Sequence, residues 1–337
     1  MLKTLKDLCS LYGPSGNENA VREYIIGEIK DFCTYRVDNL GNLIAEKKGK
    51  KTANKKIMVD AHMDEVGFII TSVDGDGFLR FDTIGGIEEA VMVARRVTLL
   101  NGVRGVVGTK PVHLTDKAAA KKFPKTDDLY IDIGAKTREE ALSLVSLGEV
   151  GVFDADFIKN GDNLLARAID DRAGCAVLID LIKSEAEYDF TAVFSVQEEV
   201  GLRGARVATY SVDPHFAIVL EATTAADIPS AAEGKKVCFV GCGPAVSFMD
   251  RSTVYDRKLY DFALNKSGVK CQPKTLVAGG NNSGAVHLSK EGVRTIAVSV
   301  PCRYLHTPSC VSSFEDIKGA RALAEALICE MGANSDL

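Results

Sequence analysis

The stretch KIMVDAHMDEVGFIITSV, residues 56–73, reads as two apolar strands around a polar turn. The chain differs in texture on its two sides. Upstream, a short amphipathic helix over about 2–12 is broken by Gly13-Pro14-Ser15-Gly16. A second helix follows, with Val21, Ile25 and Ile29 spaced for one buried face. Downstream, the second strand enters a β-rich block over about 68–165. There Asp74-Gly75-Asp76-Gly77 marks a turn. VTLLNGVRGVVG (97–108) is expected to be a hairpin, with Asn101-Gly102 as a type I′ turn. Thr137-x-x-Glu140 reads as a capping box opening the helix EEALSLVSL. From about 166 the texture changes again. Helix 171–184 leads into strands at 191–196 and 216–220, and helices near 253–267 and 314–331 bracket a strand at 294–300. Strands that alternate with helices build a mixed or parallel sheet covered on both faces. The expected fold is therefore α/β, with a catalytic domain of residues 1–67 and 166–337 and an inserted β-rich domain of 68–165.

Bulk properties exclude several function classes. The chain has 337 residues, 46% of them hydrophobic and 26% charged, enough for a sizeable buried core. A formal net charge of -5 offers nucleic acid no electrostatic footprint and gives no reason to expect an anionic membrane surface as partner. Apolar stretches are strand-length, short of a membrane span. Nine scattered cysteines do not resemble a disulfide framework, and Cys238-x-x-x-Cys242 lacks the second pair of a zinc knuckle. They read as free thiols in a reducing compartment. The opening MLKTLKDLCSLYG has neither a secretory apolar region nor a cleavage site, so a cytoplasmic location is expected.

Five clusters carry the chemistry, each where an apolar strand ends or a helix begins, which is where open α/β sheets place their ligand crevice. In VDAHMDEVG, the strand delivers His62, and Asp64 falls on the same side two residues on, able to orient a metal-bound imidazole. In ARAIDDRAG, Asp170 and Asp171 precede a helix. Capping explains one of them, but adjacent carboxylates also call for a cation. In FSVQEEVGLRGA, Glu198 and Glu199 follow an apolar strand directly. In AIVLEATTAADIP, Glu221 ends another strand, with Asp227 on the loop beyond. In VSVPCRYLHTPSC, His306 sits in a turn. Each cluster alone has a plain structural reading, as a core histidine, a helix cap or a solvated strand end. Together they offer two histidines and three carboxylates, plus one spare glutamate. That is roughly the inventory of two zinc-like ions sharing a bridging carboxylate and a water. His113, His215 and His287 are assigned structural roles.

The series AHMDEVG, DDRAG, EEVGLRGA, EATTAADIP and PCRYLHTPS resembles the TET-type aminopeptidase family in order and spacing. That family includes bacterial glutamyl aminopeptidases and proteins once labelled cellulase M. KPVHL (110–114) and YIDIGAKTREEAL (130–142) extend the resemblance to essentially the whole chain. It implies that His62 and Glu221 bind one metal, Glu199 and His306 the other, and that Asp170 bridges both, with a cis bond to Asp171. Glu198 would be the general base and Asp64 would orient His62. It also implies a phosphorylase/hydrolase-like domain with an inserted dimerisation domain, and dimers assembling to a dodecamer. The chain departs from the pattern at Glu221 and Asn282, where many members carry Asp.

The activity implied is removal of N-terminal residues from peptides by two divalent ions per chain, zinc foremost, with cobalt or manganese as alternatives. Glu198 would take a proton from a metal-bridging water. Two other readings stand beside it. A glycoside hydrolase would need a facing carboxylate pair and no metal; Glu198 and Glu199, adjacent on an extended chain, point to opposite faces and leave His62 and His306 unexplained. A metal-holding assembly protein without turnover would have no need of Glu198. The side-chain preference is open; Arg251 could pair with an acidic side chain, although a surface role is the commoner one.

Overall fold

The structure is a computed structural model describing residues 1–114 and 123–334. Four strands buried on both faces, Phe190–Ser195, Ile57–His62, Phe216–Thr224 and Arg294–Arg303, run parallel at its centre. Burial on both faces explains why these runs read as continuously apolar rather than alternating. They belong to an eleven-stranded mixed sheet. Thr34–Val37 and Leu43–Lys47 extend it antiparallel on one side, and Cys310–Ser313, Asn163–Ala166 and Ile158–Asn160 on the other. Ala245–Ser247 branches from the Arg294–Arg303 strand and carries Gln272–Lys274.

Helices cover both faces. Leu2–Ser10, Asn19–Ile29, Ile169–Lys183 and Phe314–Ala333 pack the larger core, with Leu8, Ile25, Leu178 and Leu327 fully buried. Arg203–Val212 and Ser283–Val286 enclose a smaller one around Met58, Val193 and Val219.

Six further strands, between Gly67 and Phe153, close into a barrel in the order Gly67–Val73, Leu79–Ile84, Tyr130–Asp132, Arg104–Gly108, Arg96–Leu99, Val150–Phe153. Phe68 is its keystone, edge-on to both Phe81 and Phe153. At the junction with the large sheet, buried Glu65 accepts hydrogen bonds from Arg167 and, at 3.2 Å, from Arg172. This ion cluster ties the chain's exit into the barrel to its return. Gly67 is required here: a Cβ would stand 2.6 Å from the Gly151 carbonyl oxygen.

Several local expectations need correction. The 97–108 hairpin forms, but not through a type I′ turn. That turn needs positive φ at both central residues, and only Gly102 has it, at 92°. Gly102 N–H donates to Leu99 O and Leu99 N–H to Val103 O, a type I turn closed by a left-handed glycine. Thr137 caps the helix Arg138–Leu144 by accepting from Glu140 N–H, yet the Glu140 carboxylate accepts from Lys136 N–H, one residue short of a full capping box. Glu221 does not end its strand. The Phe216–Thr224 strand continues past it because its pairing with Arg294–Arg303 runs on to Thr224–Cys302. The nine cysteines are free, and no helix among the described residues is long and apolar enough to cross a membrane.

Candidate metal centre

Parallel register aligns the functional side chains. His62 closes its strand opposite Ser195, so Glu198 and Glu199 turn off the sheet beside it, past a left-handed Gln197 (φ 55°). Glu221 belongs to the strand on the other side of the Ile57–His62 strand. Asp170 arrives from across the sheet, where Ile169–Lys183 leaves helical geometry at Asp170 and Asp171 and the peptide bond between them is cis. His306 (φ 58°) comes from the turn after Arg294–Arg303.

Asp170 lies between the two imidazoles. Its Oδ1 is 3.1 Å from His62 Nε2, and its Oδ2 is 3.6 Å from His306 Nε2. Glu221 Oε2 is 3.7 Å from His62 Nε2, and Glu199 Oε1 is 3.2 Å from His306 Nε2. Three overlapping groups, His62–Asp170–Glu221, Asp170–Glu199–His306 and His62–Glu198–Glu199, each bring their donor atoms within 4.8 Å of one another. His62, Asp170, Glu198, Glu199, Glu221 and His306, which the sequence reading put forward as metal ligands or base, are thus in one place.

Both imidazoles are held from behind. His62 Nδ1 lies 3.1 Å from the Asp64 carbonyl oxygen and 3.5 Å from its carboxylate. His306 Nδ1 lies 2.6 Å from Gly86 O. A carbonyl only accepts, so each Nδ1 carries a proton, and each Nε2, which faces the carboxylates, is the nitrogen left to serve a cation. The Asp64 carboxylate is engaged elsewhere. It accepts from Ser15 Oγ–H at 2.6 Å and from the N–H groups of Glu198 and Glu199 at 3.0 and 3.2 Å.

The electrostatics show what the site lacks. Burial, reinforced by Glu221, pushes the Glu198 carboxyl well above its ordinary range, and burial raises Glu221 to about 8. Among the described residues, one carboxylate oxygen of Asp171, a group also raised by burial, has no hydrogen-bond partner, and the same holds for Glu221. Burial alone would raise Asp170 too, but His306 and His62 hold it low. Desolvation opposes a charge on His306, yet Asp170 and Glu199 push it up to about 12. Buried carboxylates this crowded, balanced only by two imidazoles, fit divalent cations of the kind that His and carboxylate donors bind.

Asp171 serves the helix rather than the centre: its Oδ1 accepts from Gly174 N–H at 2.9 Å. Gly174 permits this, since a Cβ there would lie 2.3 Å from Asp171 Oδ2. Asn282 is buried away from the cavity, donating to Asp60 Oδ2 at 2.7 Å and Ser195 Oγ at 2.9 Å. Arg251 is exposed and does not reach the cavity. Asp227 is paired bidentately with Arg303, both contacts 2.6 Å. None of His113, His215 and His287 joins the three donor groups.

Sequence reading missed two features. One is the inserted block's share in the site: Gly86, Glu88 and Val91 line the same cavity of about 530 Å³ as Asp170, Glu198 and Glu199. A backbone carbonyl such as that of Gly86 leaves no signature in a sequence. The other is Lys274, a basic residue in the cavity wall; a lysine on a short, branched-off strand carries no motif.

The chain matches the family model of the M42 glutamyl aminopeptidases over residues 41–323. A protein of Acetivibrio thermocellus classed among the aminopeptidases is 41% identical, covering 98% of each chain. The lysyl aminopeptidase of Pyrococcus furiosus is 32% identical, covering 97% of this chain and 96% of its own. The structure of the Pyrococcus horikoshii TET1 peptidase, which can assemble into a tetrahedron or a large octahedral shell, superposes with a TM-score of 0.85 at 35% identity, covering 97% and 98%. The donor cluster and these likenesses agree: the chain belongs to the M42 glutamyl aminopeptidase family and is a metal-dependent aminopeptidase.

Proposed function

We propose that the chain removes N-terminal residues from peptides using two divalent ions, one held by His62 and Glu221, the other by Glu199 and His306, with Asp170 shared. The observation that carries this is the orientation of Asp170, whose two oxygens face two different histidines. Bound there, such ions would supply Lewis acidity, making a water nucleophilic near neutral pH and polarising the scissile carbonyl. Zinc suits the His and carboxylate donors best, with cobalt or manganese as alternatives.

The chain's own residues do the rest. Glu198 lines the cavity and is the general base. Its carboxylate takes a proton from the attacking water. Burial, which favours the protonated form, helps it keep that proton until the leaving amine receives it. Asp64 orients His62 chiefly through its carbonyl, while its carboxylate fixes the backbone of Glu198 and Glu199. Carboxylates crowding one end of the cavity offer the substrate's free α-ammonium group a partner, which accounts for action at the N-terminus.

Peptides are the partners in this reading. The inserted block 68–165 serves as a dimerisation element and the dimers assemble further, with a dodecamer supported by likeness to the TET peptidase. Nine free thiols favour a reducing, cytoplasmic setting. The test is hydrolysis of aminoacyl-p-nitroanilides as purified, after chelation, and after adding Zn²⁺, Co²⁺ or Mn²⁺. Activity that disappears with chelator and returns with metal is expected. Cleavage that survives exhaustive chelation, or none under any metal, would overturn the proposal.

A further inference from the structure

We propose, resting on the two-ion reading above, that Gly85 and Gly86 of the inserted block are positioning residues for one ion only. They set the affinity of the ion held by Glu199 and His306 and leave that of the ion held by His62 and Glu221 unchanged. The two glycines lie between the barrel strand Leu79–Ile84 and the short helix Glu89–Met92. The Gly86 carbonyl oxygen is 2.6 Å from His306 Nδ1. Gly85 packs against Glu199: a Cβ at position 85 would stand 3.2 Å from Glu199 Cβ and 3.4 Å from its carbonyl oxygen. Two adjacent residues of one barrel loop thus back both ligands that this ion would not share with its neighbour.

The other pair is supported from the catalytic domain. His62 Nδ1 lies 3.1 Å from the carbonyl of Asp64, in the turn directly after its own strand. Glu221 sits within the Phe216–Thr224 strand, paired in register with Ser299. The two imidazoles also differ in how much packing holds them. The His62 side chain is 1% exposed, whereas that of His306 is 32% exposed and springs from a turn residue with φ 58°. A ring wedged into a core needs little further support. A ring one-third open to solvent keeps its rotamer freedom unless a hydrogen bond fixes it, and ordering it then opposes ion binding. The Gly86 carbonyl is that fixing partner. Asp64 still holds the Glu199 backbone and Asp170 still faces His306, so disturbing the barrel loop should weaken this ion rather than abolish it.

Gly85 is the point at which to disturb it. Its φ is 80°, which glycine alone adopts freely, and a Cβ there would press within 2.9 Å of Val66 Cγ1 as well as on Glu199. Gly102→Ala is the control. It imposes a similar strain, at φ 92°, on the same barrel, but its Cβ would meet nothing within 4 Å. The experiment strips the full-length protein of metal and titrates it with Zn²⁺ by competitive calorimetry, with bound ions counted by elemental analysis. The wild type is expected to bind two ions. Gly85→Ala should weaken one of them about 10–100-fold, the usual effect of losing a contact behind a metal-bound histidine, and leave the other unchanged. Gly102→Ala should change neither. Glu221→Ala should remove the event that Gly85→Ala spares, and in the His306→Ala background Gly85→Ala should have no further effect. Two unchanged affinities in Gly85→Ala overturn the proposal. So does equal weakening of both ions, or a Gly102→Ala variant that weakens one as strongly, since either would mean a barrel that is merely loosened. If Gly85→Ala does not fold, Gly85→Asn carries the test, because asparagine tolerates left-handed backbone better and still brings a Cβ. A wild type that binds a single ion refutes the two-ion reading itself. Two ions bound with Gly85 indifferent refutes only this inference.

Discussion

Replacing Asp64 with asparagine tests how the catalytic backbone is held. The carboxylate is fully buried and accepts three hydrogen bonds, Glu198 N–H on Oδ1, and Glu199 N–H and Ser15 Oγ–H on Oδ2. An amide has only one acceptor oxygen. With that oxygen toward Glu198, the NH₂ group faces Glu199 N–H; turned round, it faces Glu198 N–H and stands near His62 Nδ1. Ser15 can rotate its hydroxyl and become an acceptor, but a backbone N–H cannot. In either orientation one buried donor loses its partner, costing about 1–3 kcal/mol, and the remaining bonds lose their charge assistance, about 1 kcal/mol more. A total of about 3 kcal/mol over a chain this long lowers Tm by about 4 °C. Activity falls further than stability suggests, because the loosened backbone carries Glu198 and Glu199. Loss of such supporting contacts costs about 10–100-fold in metal affinity or turnover. Differential scanning fluorimetry, metal titration and kcat with a p-nitroanilide would read all three quantities. A variant with wild-type Tm, metal affinity and kcat would show that Asp64 is not what holds this loop, and the account of the site's rigidity would fail.

Glu198→Gln should keep both metals and lose about 10²–10⁴-fold in kcat; elemental analysis beside kinetics checks this, and loss of a metal would make Glu198 a ligand instead. Glu65→Gln leaves Arg167 and Arg172 as buried cations without their shared anion, so stability measured by denaturant should fall by about 3–5 kcal/mol; a change under 1 kcal/mol would show the junction is held by packing alone. The chelated protein should lose stability as pH rises from about 5 to 8. Glu221, with its carboxyl raised to about 8, and His306, raised to about 12, both bind more protons folded than unfolded over that range, so deprotonation disfavours the folded state. Reloading with Zn²⁺ should flatten the profile, and a chelated protein that gains stability over that range would contradict it.

What was legible in the sequence was what strand ends make legible. His62, Glu198 and Glu199 could be placed because an apolar run of strand length stops just before a polar residue, and parallel strands bring such ends together. Asp170 and His306 were legible only as members of a set, since a helix start and a turn look alike with or without a ligand. Glu221 was found but misplaced: its strand's end depends on pairing with Arg294–Arg303, a contact across more than seventy positions that no local pattern encodes. The hairpin turn failed for a comparable reason. Asn-Gly permits a type I′ turn, but the strand register left room for a three-residue loop, and Gly102 alone supplied the positive φ. Gly86 and Lys274 were out of reach, one acting through a carbonyl that every residue possesses, the other meaningful only by where it is buried.

The same charge distribution argues against a purely structural metal site. A site built only to hold ions needs ligand carboxylates matched to the ions' charge, and in the proposed arrangement Asp170, Glu199 and Glu221 with two histidines would already provide five ligands. Glu198 is then a surplus, half-buried carboxylate, its backbone held beside the centre by Asp64 although desolvation and Glu221 disfavour its charge. Natural proteins keep such destabilising groups where function uses them.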